Sequence, residues 1–187
     1  MTPDDSFYQS ASAILKALGA PLSDTSINLL VAWSWCEKPH YAGGSWQWNN
    51  PLNTTQPGFN ATGNANSVGV KIYPTQSDGV NATVATLTNG YYPNIVQALK
   101  TGDASLFFSS SDEIRTWGTD PGCIQTTYNS LGPVPSWVKQ NEGGGEITII
   151  PPPPIISSPL PRYYLLGAAV AISVVALGVM YYREFRE

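Results

Sequence analysis

The chain has 187 residues, a formal charge of −4 and a charged fraction of only 12%, enough for one domain of ordinary size plus an extension. This mild acidic balance carries no basic stripe, which excludes nucleic-acid binding. With one histidine and two cysteines that form no CxxC pair, a zinc site is excluded as well, and no cofactor is expected.

Asp4 to Leu18 reads as a first amphipathic helix, with Phe7, Ala11, Ile14, Leu15 and Leu18 on one stripe and Gly19 near its end. The stretch Met1 to Ser10 is polar and acidic, so no cleaved secretory signal is expected. Pro21 interrupts the chain. A second helix then starts at Asp24 or Thr25 as N-cap, places Ile27, Leu30, Val31, Ser34 and Trp35 at helical spacing, and brings Glu37 near its C-terminal end. A helix C-terminus carries partial negative charge and the neighbouring indoles desolvate, so both favour the neutral acid over the carboxylate. That is what a general acid for glycoside cleavage needs. Glutamate is not used freely as surface charge here, since Glu113 is the only other one before residue 142. Cys36 and Cys123 form either one disulfide or two buried thiols.

From Pro39 to Gly63 the chain is dominated by Gly, Asn, Pro, Thr and Trp, and no helical or strand period survives. A loop this long within a compact domain is usually functional. Aromatic faces stack on sugar rings and Asn side chains both donate and accept, so Trp46, Trp48, Asn50, Asn53, Thr54 and Thr55 are candidates to line a glycan groove. Trp46 and Trp48 can equally cap the core beneath the loop.

Val68, Val70 and Ile72 alternate with polar or small residues as a short half-buried strand does. Asp78 then suits the N-cap of a helix carrying Val80, Val84 and Leu87, and is also the one candidate for a second carboxylate. Tyr91 to Lys100 reads as the next helix, with Pro93 in its first turn and Gly102 closing it. Asp103 and then Ser110 or Ser111 start short helices, where Asp112 and Glu113 complement the dipole. Gly118 to Gln140 is expected to be turn-rich, anchored by Cys123 and Trp137. After residues 1–141, the run 142–162 reads as a Gly- and Pro-rich linker, and 163–182, YYLLGAAVAISVVALGVMYY, as a transmembrane helix before the tail 183–187. The chain is therefore expected to be anchored in a lipid membrane by its C-terminal end.

The helix ending in Glu37, the loop after it and the sequence NNPLN at 49–53 resemble the lysozyme-like superfamily, in particular lytic transglycosylases and glucosaminidase-type peptidoglycan hydrolases of bacteria and phages. The stretch from Val68 to Leu99 looks like the next part of such a domain, so the two together cover most of residues 20–100. The family has Ser after its acid where this chain has Lys38. The resemblance implies a mainly α, lysozyme-like α+β fold and Glu37 as catalytic acid on peptidoglycan glycan strands. It also implies a tyrosine facing the acid, for which Tyr91 and Tyr92 are the candidates. Because the transglycosylase route uses the substrate's own hydroxyl in place of water, it requires no second carboxylate.

The expectation for the full chain is a membrane-anchored lytic transglycosylase. It would lie in the internal membrane of a phage virion, with capsid or vertex proteins as further partners, and act in cell-wall penetration; a bacterial envelope is the alternative site. The rivals are a non-catalytic glycan-binding module and a structural envelope protein.

Overall fold

The computed structural model describes residues 3–37 and 44–140, all within the compact unit Met1–Pro151. Asp4 caps the first helix, α1 (Asp5–Ala17), by accepting the amide of Ser6 at 2.9 Å. Its apolar stripe of Phe7, Ala11, Ile14 and Leu15 is buried. Helix α2 (Asp24–Glu37) is the centre of the domain: Ile27, Leu29, Leu30, Val31, Ala32 and Trp33 are all at most 1% exposed, and it packs against α1 and against the later helices Pro93–Thr101, Ala104–Ser109 and Pro121–Ser130. A helix apolar on nearly every side belongs in a core and not on a surface. Ser23 starts it, its hydroxyl accepting the amide of Ser26 at 3.0 Å, so the cap lies one residue before the expected pair.

The loop after α2 contains a 3₁₀ turn, Gly44–Asn49, broken where Gln47 and Trp48 leave helical geometry. A hairpin of two-residue strands follows, β1 (Gly63–Asn64) and β2 (Lys71–Ile72), antiparallel with Gly63 opposite Ile72. The strand expected from Val68 shrinks to Lys71–Ile72 for a visible reason. Asn66 Oδ1 accepts the amides of Val68, Gly69 and Val70 at 3.1 Å, which removes them from the ladder, and Val68 stands 79% exposed in the turn.

Helix α3 (Gln76–Leu87) is capped by Thr75. Thr75 Oγ1 accepts the Asp78 amide at 3.1 Å while its hydroxyl donates back to Asp78 Oδ2, so the cap and the third helical residue hold each other. Asp78 is thus the third helical residue and not the cap itself. Helix α4 (Pro93–Thr101) starts on Pro93 and ends on Gly102, at φ 70°. Glu113 holds its first turn from outside: Oε1 accepts Asn94 N at 3.2 Å and Oε2 accepts Ile95 N at 3.0 Å. Asp103 caps α5 (Ala104–Ser109), and α6 (Ser111–Trp117) follows directly.

The region expected to be turns holds two more helices, α7 (Pro121–Ser130) and α8 (Ser136–Gln140). The start of α7 was written in the sequence as Asp120-Pro121: the Asp120 carboxylate accepts Gly122 N at 3.0 Å and Cys123 N at 3.3 Å, and proline occupies the first turn, where no amide is needed. An ion pair of 2.6 Å between Lys139 and Asp24 ties α8 to the start of α2.

Among the described residues no helix is long and apolar enough to cross a membrane. The described residues form the expected mainly α domain with a short, two-stranded β segment, and none of their helices supplies the expected membrane anchor. The run 163–182 lies outside the described residues, as do the linker 142–162 and the tail 183–187. The expected membrane localisation, in a virion or in a bacterial envelope, has no membrane-crossing helix among the described residues to support it.

Candidate functional site

Glu37 is the last residue of the buried central helix and is itself half-buried, so a rigid element delivers a carboxylate to the domain surface. Thr119 and Asn53 both hold it. The Thr119 hydroxyl donates to Oε1, and Asn53 Nδ2 lies 3.1 Å from Oε2 and also 3.1 Å from the backbone oxygen of Glu37. Because a backbone carbonyl only accepts, the amide group facing it must be the NH₂, which fixes the orientation of the Asn53 side chain. Its other end, Oδ1, is buried and has no hydrogen-bond partner among the described residues.

Each holder is positioned by local structure. Thr119 follows Gly118, which ends α6 in the left-handed region at φ 107°. Gly118 N reaches Arg115 O at 3.0 Å and Thr119 N reaches Ile114 O at 3.2 Å, the paired bonds of a Schellman turn. The indole N–H of fully buried Trp33 donates to Thr119 Oγ1 at 2.9 Å. Asn53 sits in a loop fastened to the helices on both sides. Ser34 donates to Pro51 O at 2.8 Å, and Trp117 Nε1 donates to Leu52 O at 2.8 Å. Trp117 in turn meets Trp33 edge-on at 5.1 Å and Tyr92 at 5.3 Å, an aromatic wall behind the carboxylate.

The disulfide Cys36–Cys123 joins the residue before Glu37 to the first turn of α7. Of the two states left open by the sequence, the bridged one is formed. Donated hydrogen bonds on both oxygens favour the charged carboxylate, whereas the helix C-terminus and partial burial oppose it.

The remaining candidates divide by burial. Asn50 is fully buried and spent on the loop: Oδ1 accepts Thr54 N, and Nδ2 donates to Thr54 O and Lys71 O, each at 2.9 Å. Thr54 is also buried, its hydroxyl 2.6 Å from that of Thr86, while Thr55 is exposed. Trp46 packs half-buried on the core, with an indole N–H that has no partner among the described residues. Trp48 is half-buried at φ 57°, and its carbonyl accepts Tyr73 N at 3.0 Å. Tyr92 is core against Trp117; Tyr91, next to it, is 68% exposed. Asp78 is engaged by Thr75 and by Asn60 Nδ2, the latter at 3.0 Å, in the cap of α3. Among the described residues no group of three or more His, Cys, Asp or Glu could hold a metal ion.

Thr119 and Trp117 are the site residues that sequence reasoning missed; in the sequence Trp33 reads as an indole beside Glu37, but not as the donor that orients Thr119. One signal pointed to the first: a Cys36–Cys123 bridge brings the chain just before Cys123 close to Glu37.

No protein-family model, curated protein or solved structure matches the chain. The membrane-anchored, peptidoglycan-cleaving transglycosylase expected from the sequence is corrected on two findings. No membrane-crossing helix is present among the described residues, and no family model or curated protein matches the chain to support that activity.

Proposed function

We propose that the domain takes a glycan at the end of α2 and cleaves one glycosidic bond, with Glu37 as the acid that protonates the leaving oxygen. The observation that carries this reading is the setting of Glu37: one half-buried carboxyl group at the C-terminal end of the central helix, oriented through both oxygens by Thr119 and Asn53. A proton donor must be held in a fixed direction to work, and positioned proton transfer contributes about 10²- to 10⁴-fold. Asn53 adds a buried acceptor, Oδ1, beside the acid, which suits the N–H or O–H of an amino sugar. The resemblance around Glu37 and NNPLN points the same way.

A second reading has its own observation. Two hydrogen bonds donated to Glu37 also suit a carboxylate that stays ionised and accepts from glycan hydroxyls without turnover. The two separate on a panel of purified peptidoglycan and chitin oligosaccharides. The enzyme reading expects new chain ends from the wild-type protein and a loss of at least about 100-fold in Glu37→Gln, with binding retained. Binding by both proteins with cleavage by neither establishes the binding module, and neither binding nor cleavage removes both readings.

A further inference from the structure

We infer that Thr119 is a positioning residue that gives the two oxygens of Glu37 different roles, Oε1 as a fixed acceptor and Oε2 as the oxygen that carries and delivers the proton. This rests on the acid reading of Glu37. An indole N–H can only donate, and Trp33, fully buried, donates to Thr119 Oγ1 at 2.9 Å. The hydroxyl's own hydrogen is therefore turned to its other partner, Glu37 Oε1. A proton on Oε1 would face that hydrogen and leave Thr119 without an acceptor among the described residues. A proton on Oε2 leaves the bond from Thr119 to Oε1 in place. Asn53 Nδ2, which approaches Oε2 at 3.1 Å, keeps its second acceptor, the backbone oxygen of Glu37, at the same distance.

The step balances simply. The Oε2–H bond breaks, a bond from that hydrogen to the glycosidic oxygen forms, and the electron pair stays on the carboxylate. As negative charge develops, the hydrogen bonds from Thr119 and Asn53 become charge-assisted and strengthen, so they stabilise the transition state more than the bound substrate. Removing the Thr119 hydroxyl should then lower kcat and leave KM unchanged.

The test uses the full chain and two readouts. On whichever oligosaccharide of the panel the wild type cleaves, Thr119→Val should lose about 10- to 100-fold in kcat, the worth of a hydrogen bond to a charged group. KM should stay within about twofold, and Thr119→Ser, which restores a hydroxyl, should recover most of kcat. The second readout needs no turnover. Glu37→Gln should move the Trp33 indole N–H resonance when Thr119 is present and leave it unmoved in the Thr119→Val background. Equal losses in the Val and Ser variants, or a loss expressed in KM, would make Thr119 a packing residue and overturn the inference. An indole resonance blind to Glu37→Gln overturns it also. If the wild type cleaves no glycan, the acid reading fails by itself, and the indole response still decides whether Thr119 couples Trp33 to Glu37.

Discussion

Asn53 occupies the left-handed backbone region, at φ 54°, where asparagine is tolerated and most other side chains are strained. It therefore has two jobs that substitution can separate. Asn53→Gly keeps the backbone comfortable and deletes the amide; Asn53→Ala deletes the amide and adds strain. Both variants should lose the same activity, while Ala is less stable than Gly by about 1 kcal/mol in denaturant titrations. Equal stabilities would mean that the backbone relaxes and the left-handed turn is not imposed by the loop. At this scale the carboxylate was legible and its partners only in part. Glu37 stood out because a Glu after two tryptophans at a helix end is an uneconomical place for surface charge. Asn50 and Asn53 are alike as letters, yet one is wholly enclosed by loop hydrogen bonds and the other faces the acid. No local pattern separates them.

The loop that carries Asn53 is seated on α3 by a glycine. A Cβ at Gly79 would stand 1.5 Å from Asn49 O and 2.7 Å from Asn49 C, so the backbones of loop and helix touch there. In an exposed helix interior, Gly→Ala stabilises by about 1 kcal/mol. At Gly79 the sign should reverse, with a loss of about 3 kcal/mol in equilibrium unfolding and displacement of the 3₁₀ turn, since overpacking against backbone has no side chain to yield. A stabilising Gly79→Ala would show that the loop stands off α3. Helices α1, α3 and α4 were readable because caps and breakers bracket an apolar period. The starts and stops of α7 were readable too, but Gly and Pro density between 118 and 140 drew attention to turns. The hairpin was misjudged for the opposite reason: an alternating pattern at 68–72 gave way to the amides captured by Asn66.

Across the whole domain, burial has a consequence for alkaline stability. Tyr73, 1% exposed with its hydroxyl donating to Gln56 O at 2.7 Å, is raised above the ordinary tyrosine range by burial. Tyr92 is raised by burial first, then by the charges of Glu113 and Tyr91. The folded domain thus holds these protons at pH values where the unfolded chain, titrating at about 10, has released them. Stability is full below about pH 10 and falls as pH rises past it toward the folded values. Tyr73→Phe should flatten that decline in thermal melts while costing about 1 kcal/mol near neutrality, through the lost hydrogen bond and the unpaired Gln56 carbonyl. An undiminished decline in Tyr73→Phe would assign the alkaline loss elsewhere. The mainly α domain with a short β segment followed from the sequence, whereas the place of α2 at its buried centre came from the structure. The site did not follow as a whole, because its second half comes from residues 117–123, brought to Glu37 by the Schellman turn at Gly118 and the Cys36–Cys123 bridge.

The central claim is that Glu37, held by Thr119 and Asn53, transfers a proton to a glycosidic oxygen. Mass spectrometry of a single defined amino-sugar oligosaccharide, followed over time with wild-type protein and with Glu37→Gln side by side, tests it most directly. Two complementary fragments should grow together with the wild type, from one bond at a fixed position, and the oligosaccharide should stay intact with the variant. Intact oligosaccharide in both samples, or the same fragments at the same rate in both, would contradict it.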